Sequence, residues 1–380
     1  MIFYNKPYIT GGEFKAIEKA IANRHLSGNG SYTMLCHDFF KTNYGFSKSL
    51  LTTSCTDALE MCAILLDIQA GDEVIMPSFT FVSTANAFIL RGAKIVLADS
   101  TASDPNIDSA CLETLITPKT KAIVVVHYAG VACDMNAIMN LANRFGLFVI
   151  EDAAQAIDSF YTDSANKRYP LGGIGHLGAF SFHESKNIQC GEGGMLVIND
   201  DRFKDRAEII WEKGTNRAAF FSGKVDKYNW VDIGSSFLPS EITAAFLYAQ
   251  LQALPEIQKK RKALWQIYAI ALQPLQTAGK IMLPLLPAFA TNNAHIFYIV
   301  CNNLPQRNAL ILFLKENGVQ SMFHYPGLHT SPFYLEHGGE KITLKNAERF
   351  SDCLLRLPLY VELTEEKILH ICQLIGKFFE

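Results

Sequence analysis

The chain has 380 residues, of which 49% are hydrophobic and 19% charged, and its formal net charge is -3. This composition is typical of a globular protein and argues against a disordered or fibrous one. The two signs of charge are mixed along the chain, which argues against a nucleic-acid partner, since that would need a basic face. There is no signal-like leader and no apolar run of about 18 residues, so we expect a soluble cytoplasmic protein with no membrane partner.

Nine cysteines are scattered along the sequence without a CxxC pair. Zinc-ligand spacing is therefore absent, and no metal is predicted. We expect the cysteines to be reduced and to pack as small hydrophobic side chains.

Short apolar runs alternate with helical patterns between residues 48 and 200. Strands are predicted at 48–53, 73–76, 94–98, 121–126, 147–150, 179–182 and 195–198. Helices are predicted at 56–68, 81–90, 111–116, 135–145 and 203–213. This alternation favours an α/β fold with a mostly parallel sheet and helices on both faces. Ligands of such sheets bind beyond the carboxyl ends of the strands.

The pattern changes after about residue 239. Ser240 is a good N-cap for a long helical stretch toward residue 275, which Pro255 should bend or break. A strand at 295–301, a helix at 308–317, a strand at 319–324 and two closing helices follow. We predict a large domain at 1–245, which includes the N-terminal segment, and a small C-terminal α+β domain at 246–380.

The first chemical motif is TSCTDAL, in which small hydroxyl residues lie between a strand and a helix. The N–H groups and the positive dipole end of the helix could hold an anion there, with Ser54, Cys55 and Thr56 as donors. Taken by itself, this motif is explained better by ordinary helix capping.

The second motif is VIEDAAQ, in which Asp152 follows an apolar strand. A carboxylate at that position could hold a pyridinium nitrogen in its protonated form, because a nearby anion favours the charged form of its partner. The alternative is that Asp152 caps a following helix.

The third motif, SFHESKN, places Lys186 beyond a strand and before the glycine-rich run CGEGGML. A lysine between strands is usually a solvated surface residue. Amine catalysis needs a lysine that can lose its proton and reach a carbonyl carbon, and Gly191, Gly193 and Gly194 would let the backbone pass close to a bulky ligand. An anion cradle, a carboxylate and a lysine together are what pyridoxal phosphate requires.

The sequence resembles the DegT/DnrJ/EryC1/StrS family of nucleotide-sugar aminotransferases through essentially its whole length. Segments that carry the resemblance include SCTDALEM, GDEVIMPSFTFVSTANA, VHYAGVACDM, VIEDAAQ, GAFSFHESKN, EKGTNR and FHYPGLH. The resemblance implies the fold-type I aspartate aminotransferase architecture, pyridoxal 5′-phosphate as cofactor, L-glutamate as amino donor, and a homodimer with its sites at the interface. The sequences of these segments are especially similar to those of transaminases that act on TDP-4-keto-6-deoxy-D-glucose to give TDP-4-amino-4,6-dideoxy-D-galactose.

The resemblance also implies residue roles. Lys186 matches the lysine that carries the cofactor as a Schiff base, Asp152 the acid on its ring nitrogen, and Gln155 the residue near its ring hydroxyl. Phe81 matches the aromatic residue that stacks on the ring; a core phenylalanine is the alternative. The phosphate cradle corresponds to Ser54, Cys55, Thr56 and Ser181. His329 matches a residue that faces the sugar, although the sequence by itself suggests an exposed loop histidine.

The sequence departs from the family pattern at two places. Cys55 replaces a glycine of the phosphate cradle, which preserves a backbone contact if its φ is ordinary. In the segment from which a neighbouring subunit usually donates an asparagine to the phosphate, Ser236 replaces that asparagine and Leu238 replaces an arginine. Arg217 could compensate as a binding residue, or it could be a surface residue.

Four alternatives remain at this stage. Amination could take place at C3 of a related keto sugar, or the chain could be a sugar dehydratase of the same fold, in which histidine replaces the lysine. Lys186 argues against a dehydratase, and it also argues against a non-catalytic regulator on this fold. A plain nucleotide-binding module would need a GxGxxG turn after the first strand, and that turn is absent.

Overall fold

The computed structural model describes residues 1–221, 223 and 225–380. The strands are β1 (Ser49–Thr52), β2 (Glu73–Pro77), β3 (Lys94–Ala98), β4 (Thr120–Val126), β5 (Phe148–Asp152), β6 (Phe160–Thr162), β7 (Arg168–Pro170), β8 (Leu177–Ser181), β9 (Gly194–Ile198), β10 (Phe297–Val300), β11 (Met322–Phe323) and β12 (Leu354–Leu357). The helices are α1 (Glu13–Ala22), α2 (Ser31–Tyr44), α3 (Cys55–Leu65), α4 (Val82–Ile89), α5 (Met135–Phe145), α6 (Lys204–Trp211), α7 (Arg217–Phe221), α8 (Glu241–Gln252), α9 (Leu254–Thr277), α10 (Leu304–Glu316), α11 (Pro332–Glu336), α12 (Lys345–Cys353) and α13 (Glu365–Phe379).

A mixed, mostly parallel sheet forms the centre of the molecule. Within the described residues it has seven strands in the order β1-β9-β8-β5-β4-β2-β3. Neighbouring strands from β8 to β3 are parallel, while β9 runs antiparallel to both β1 and β8. The predicted α/β fold class is confirmed. The sheet order brings the carboxyl ends of β1, β8, β5 and β2 to one edge.

Apolar side chains cover both faces of this sheet. Val149 and Ile150 are consecutive residues of β5, and they belong to two different clusters of buried side chains. This follows from the alternation of side chains along a strand. One cluster includes residues of α1, α2, α5 and α8, and the other includes residues of α3, α4 and α6.

A second, antiparallel sheet has the order β10-β12-β11, and its own apolar core includes residues of α9, α10 and α13. The predicted long helix is divided into α8 and α9. Ser240 caps α8 by accepting a hydrogen bond from the N–H of Thr243, as predicted, and Pro255 occupies the first turn of α9. The predicted domain boundary at residue 245 lies within α8 and stays a prediction.

Several elements differ from the sequence prediction. The strand predicted at 319–324 is reduced to β11, and the helix predicted at 308–317 begins four residues earlier, at Leu304. The sequence did not predict α1, α2, the β6–β7 hairpin or β12. The apolar run of β12 follows α12 without a turn residue, so periodicity alone cannot separate this strand from the preceding helix.

The N-terminal segment, defined as residues 1–12, lies across both sheet regions. The backbone of Ile2 bonds to Gly318 and Gln320, at 2.7 and 2.9 Å. The carbonyl of Tyr4 accepts a hydrogen bond from the N–H of Leu359 at 3.3 Å, and that of Tyr8 accepts one from the side chain of Gln250 at 2.8 Å. The segment therefore joins the main sheet region to the smaller one.

Side chains from α2 and α6 form hydrogen bonds with backbone groups of the edge strand β1. The N–H of Leu51 donates to Nε2 of His37 on α2 at 3.0 Å, and the carbonyl of Leu51 accepts from Nε1 of Trp211 at 2.6 Å. Burial lowers the pKa of His37 to about 4, so this ring is neutral at pH 7 and accepts the bond. Within the described residues, no helix is long and apolar enough to span a membrane.

Candidate active site

A cleft of about 660 Å³ opens at the carboxyl edge of the main sheet, and residues from β11 and β12 close its other side. Its position agrees with the rule for ligand sites of parallel sheets. Most of the predicted site residues line this cleft: Ser54, Cys55, Thr56, Phe81, Asp152, Gln155, Ser181 and Lys186.

The turn from β1 into α3 contributes the predicted anion cradle. The hydroxyl of Ser54 accepts a hydrogen bond from the N–H of Asp57 at 3.1 Å, which is the ordinary helix cap expected as the alternative. Thr56 donates to the hydroxyl of Ser83 at 2.9 Å. Cys55 is not among the residues with positive φ, so the replacement of glycine leaves its backbone conformation ordinary. The helix N-terminus still faces the cleft with its positive dipole end.

Gly194, at the start of β9, packs closely against the backbone of this turn. A Cβ atom at this position would lie 2.3 Å from the carbonyl carbon and oxygen of Ser54 and 2.4 Å from the nitrogen of Cys55. Such distances are far below van der Waals contact, so the backbone there admits only glycine without movement. The expectation that this glycine makes room for a ligand needs correction, because it makes room for the protein's own cradle backbone.

Asp152 ends β5 at the base of the cleft and is 6% exposed. Its carboxylate accepts hydrogen bonds from the hydroxyl of Thr84 at 2.8 Å and from the N–H of Ala154 at 3.1 Å. Burial raises the pKa of Asp152, while these bonds and the nearby Lys186 counteract that rise. No helix follows Asp152 directly, so the alternative of a helix cap is wrong.

Glu151, beside Asp152, faces the opposite side of the sheet and is fully buried. Its carboxylate accepts hydrogen bonds from His127 at 2.9 Å, from the N–H of Gly172 at 2.7 Å, and from the N–H groups of Ile174 and Gly175 at 2.6 Å each. The acid pair therefore serves two purposes. Glu151 fixes the loop before β8 through these hydrogen bonds, whereas Asp152 lines the cleft.

Lys186 lies in the loop after β8, held by a hydrogen bond from its backbone N–H to the carbonyl of His183 at 2.9 Å. Burial lowers the pKa of Lys186, and Cys55 and Asp152 oppose that shift. Within the described part of the chain its amine forms no ion pair or hydrogen bond. This side chain lines the cleft.

Gln155 and Phe81 both line the cleft, and each of them contacts Tyr325. The side-chain oxygen of Gln155 accepts from the N–H of Ala129 at 2.7 Å, and its NH₂ group donates to the hydroxyl of Tyr325 at 3.2 Å. Phe81 is 55% exposed, with its ring centroid 6.0 Å from that of Tyr325. The alternative of a core phenylalanine is therefore wrong, and the exposed ring can stack on a flat ligand.

Three predicted residues lie outside the lining of this cleft. His329 is 3% exposed, with its ring bonded to Ser78 at 2.6 Å and Glu348 at 3.2 Å. The expectation of an exposed loop histidine is wrong, because this ring joins two packed elements. Ser236 and Arg217 are both exposed, and Arg217 lies 5.1 Å over the ring of Phe221.

The sequence interpretation missed cleft residues that come from distant segments. Thr84 is one turn into α4 and bonds to Asp152. His324, Tyr325 and Arg356 line the cleft from the region of β11 and β12. The FHYPGLH motif offered a signal for His324 and Tyr325, whereas Arg356 lies in a strand that periodicity did not reveal.

The donor set fits pyridoxal phosphate. Asp152 is buried but has no ion-pair partner within the described residues, and a cationic ring nitrogen would satisfy it. The amine of Lys186 and the α3 N-terminus complete a site for an aldehyde and a phosphate group. The fold and the cleft together define a fold-type I pyridoxal-phosphate enzyme.

The chain belongs to the DegT/DnrJ/EryC1/StrS aminotransferase family, whose profile matches residues 7–376. It is 32% identical over 376 residues to the spore coat polysaccharide biosynthesis protein SpsC of Bacillus subtilis, covering 96% of this chain and 94% of that protein. Enzymes of this family use pyridoxal phosphate.

Solved structures support the same assignment. An aminotransferase from Psychrobacter cryohalolentis is 28% identical with a TM-score of 0.91, covering 98% of each chain. Helicobacter pylori PseC, an aminotransferase involved in the biosynthesis of pseudoaminic acid, is 26% identical with a TM-score of 0.89, covering 99% of this chain and 98% of that one. The chain is therefore a sugar aminotransferase of this family.

Proposed function

We propose that this protein transfers the amino group of L-glutamate to C4 of a 4-keto-6-deoxy nucleotide sugar. The proposed acceptor is TDP-4-keto-6-deoxy-D-glucose and the product TDP-4-amino-4,6-dideoxy-D-galactose. The likeness to an enzyme of pseudoaminic acid biosynthesis and to a spore coat polysaccharide protein supports a place in deoxyamino-sugar synthesis for a surface polysaccharide or lipopolysaccharide.

The observation that carries this proposal is the convergence of Lys186, Asp152 and the Ser54–Thr56 turn on one cleft. The turn and Ser181 would hold the phosphate, Gln155 would lie near the ring hydroxyl, and Phe81 would cover the ring face. Asp152 would hold the ring nitrogen protonated, since each member of such a pair favours the charged form of the other. When bound, pyridoxal phosphate supplies a carbonyl carbon that captures amines and a ring that accepts electron density.

Lys186 is the proposed proton carrier. Its Nζ atom removes a proton from the carbon that bears the donor's amino group and returns a proton to the carbon that receives the amine. Burial lowers the pKa of Lys186, so a larger fraction of the amine is unprotonated near neutral pH than for a solvated lysine. Positioned proton transfer of this type contributes roughly 10²- to 10⁴-fold to the rate.

We further propose that two copies form a homodimer and that Ser236 of one copy contacts the phosphate site of the other. Ser236 and Arg217 are exposed residues of a segment whose described residues, 217–221, 223 and 225–236, we call the 217–236 surface. Its exposed apolar side chains include Phe221, Tyr228, Trp230, Val231 and Ile233. Large exposed apolar side chains concentrated in one segment are typical of a protein interface.

The direct test uses purified protein, pyridoxal phosphate, L-glutamate and TDP-4-keto-6-deoxyglucose. We expect formation of 2-oxoglutarate and of a TDP-amino sugar, with the amine at C4 and in the galacto configuration by mass spectrometry and NMR. An amine at C3 would contradict the proposed C4 amination and would support the alternative that the protein is a C3-aminotransferase.

A sugar dehydratase of this fold is the second alternative. It would release water and leave no amine in the product, and the same mass spectrum would detect that. Lys186 lies at the position where the dehydratases of this fold have histidine, and His183 is a separate cleft residue bonded to Ser185 at 2.8 Å. The observed geometry therefore favours the transaminase.

A further inference from the structure

Two threonine side chains form a hydrogen-bonded chain that ends at the carboxylate of Asp152. The hydroxyl of Thr84 donates to Oδ2 of Asp152 at 2.8 Å, and the hydroxyl oxygens of Thr80 and Thr84 lie 2.9 Å apart. Thr80 and Thr84 are 2% and 1% exposed, and both line the cleft. The proposed function gives neither threonine a role.

The chemistry of the three groups fixes the direction of this chain. An ionised carboxylate can only accept hydrogen bonds, and a hydroxyl has a single proton to donate. Because Thr84 gives its proton to Asp152, the hydrogen bond between the two hydroxyls must be donated by Thr80. The hydroxyl of Thr84 therefore accepts one bond and donates the next, and the bonds of such a chain strengthen one another.

The hydroxyl of Thr84 has unusual partners for a threonine in a helix. A helical threonine often bonds to the backbone carbonyl one turn earlier. Thr84 lies in the first turn of α4, and its hydroxyl meets the side chain of Thr80, four residues earlier, and that of Asp152, 68 residues away. Thr84 therefore connects the start of α4 to the end of β5.

The carboxylate of Asp152 can still accept a further hydrogen bond. Its Oδ2 atom accepts from Thr84, and its Oδ1 atom accepts from the N–H of Ala154 at 3.1 Å. An ionised carboxylate has about four acceptor sites in total. One bond on each oxygen therefore orients the carboxylate and leaves acceptor sites for a cationic group in the cleft.

We propose that the chain from Thr80 through Thr84 keeps the proton on the ring nitrogen of the bound cofactor instead of on Asp152, which makes Thr84 a positioning residue of the reaction. This inference rests on the proposed role of Asp152 as the partner of the ring nitrogen, and it is independent of the sugar. A hydrogen bond donated to a carboxylate favours its ionised form. A ring nitrogen that retains its proton makes the ring a better acceptor of electron density.

Burial acts against this location of the proton, because it raises the pKa of Asp152. The hydrogen bond from Thr84 is the largest of the influences that lower this pKa, ahead of Ala154, Lys186 and His127. The other titratable groups whose charge interacts with that of Asp152 are Cys55, Cys62 and Tyr325. All of these groups remain when the hydroxyl of Thr84 is removed, so its removal alone should shift the proton toward Asp152.

The experiment observes the ring nitrogen directly. The protein is loaded with pyridoxal phosphate that is isotopically labelled at the ring nitrogen, and nitrogen NMR at neutral pH distinguishes the protonated from the unprotonated ring. Thr84→Val removes the hydroxyl and keeps the shape, Thr84→Ser keeps the hydroxyl, and Thr80→Val removes the first donor. The control is Thr120→Val at the amino end of β4, where the buried hydroxyl of Thr120 accepts from the N–H of Thr117 at 2.9 Å.

We expect Thr84→Val to lower the ratio of protonated to unprotonated ring nitrogen by roughly 10- to 100-fold, as expected for a lost hydrogen bond to a charged group. Thr84→Ser should retain most of the wild-type ratio, Thr80→Val should give a smaller decrease, and Thr120→Val none. In the half-reaction with L-glutamate, Thr84→Val should lower the rate constant and leave the half-saturating concentration nearly unchanged, because the ring nitrogen acts in the chemical step.

Asp152→Asn separates failure of this inference from failure of the proposed function. If Asp152→Asn removes the ring proton while Thr84→Val keeps the wild-type signal, the two threonines have only a structural role and Asp152 keeps its proposed one. If Asp152→Asn also keeps the wild-type signal, both proposals are wrong. Equal changes in Thr84→Val and Thr120→Val would contradict the inference as well. Thr80→Val leaves the bond from Thr84 to Asp152 in place, so it tests the chain even if Thr84→Val does not retain the cofactor.

Discussion

Lys186 and Asp152 experience the same desolvation with opposite results. Burial lowers the pKa of the lysine and raises that of the aspartate, because it disfavours the charged form of each. For the lysine this change helps, since a neutral amine is the nucleophile and the base. For the aspartate the hydrogen bonds from Thr84 and Ala154 act against it and help to retain the carboxylate.

Lys186→Ala should abolish cofactor attachment through the chain and reduce turnover by at least about 10²- to 10⁴-fold, since it removes both the amine and the proton carrier. The visible absorbance of the holoenzyme and the rate of amino-sugar formation measure this. Lys41→Ala, at an exposed position on α2, is the matched control and should behave as the wild type. Normal turnover in Lys186→Ala would disprove the proposed role.

Gly194→Ala tests the support of the cradle. Because a Cβ atom would meet the backbone of Ser54 at 2.3 Å, the turn must move, and we expect a loss of about 1–3 kcal/mol in the free energy of unfolding together with weaker cofactor binding. Denaturant unfolding and cofactor titration measure the two effects. The control Gly376→Ala lies in α13 with open space around it, and it should stabilise the protein by roughly 0.5–1 kcal/mol. Equal behaviour of the two variants would contradict this explanation.

At the scale of elements, the carboxyl ends of four parallel strands supply most of the site, while the turns after them orient the side chains. The cradle follows β1, Phe81 follows β2, Asp152 ends β5, and Lys186 follows β8. The antiparallel strand β9 then returns to pack Gly194 against the cradle. The position of the cradle therefore depends on the pairing of β9 with both β1 and β8.

The contact between α2 and β1 predicts a pH dependence of stability. Burial lowers the pKa of His37 to about 4, whereas an unfolded chain has a value near 6.5. The stabilisation is complete above the unfolded value and is lost as pH falls from about 6.5 toward 4, because the unfolded state then binds more protons; the upper bound is roughly 3 kcal/mol. His37→Gln, which can still accept from Leu51, should lose less stability over this range in denaturant unfolding. Parallel curves for both proteins would exclude His37 as a source of the effect.

At the scale of the whole molecule, the exposed 217–236 surface and the second sheet suggest different roles. The 217–236 surface carries Trp230, which is 83% exposed, and we propose that it meets a second copy. The second sheet contributes Arg356 to the cleft of its own chain. In this arrangement each cleft would take residues from three sources: the main sheet, the second sheet and the partner copy.

Trp230→Glu should convert the proposed dimer into a monomer and weaken cofactor retention, because a charge on an apolar interface must be desolvated. Light scattering after size exclusion measures the mass, and cofactor titration measures the affinity. Leu312→Glu is the control, since Leu312 is 60% exposed on α10 and lies outside this surface. A wild-type protein that is monomeric when fully active would contradict the interface proposal.

The sequence predicted those parts of the site that depend on local order along the chain. Asp152 and Lys186 could be placed because a strand precedes each of them, and the helix N-terminus at Ser54 follows from small hydroxyl residues after a strand. Arg356 and Tyr4 could not be placed, because their contact joins positions 352 residues apart in a strand and a segment without periodicity. The burial of His329 likewise depends on Ser78, which is 251 residues away.

The contact between Tyr4 and Arg356 also limits the order in which the protein can form during synthesis. Residue 4 leaves the ribosome long before residue 356, so the hydrogen bond between Tyr4 and Arg356 can form only near the end of synthesis. The main sheet can pair much earlier, since its last strand ends at Ile198. Domains generally fold as units during translation, with N-terminal parts first. The nascent chain should therefore contain a cofactor cradle and a reactive lysine before the arginine side of the cleft exists.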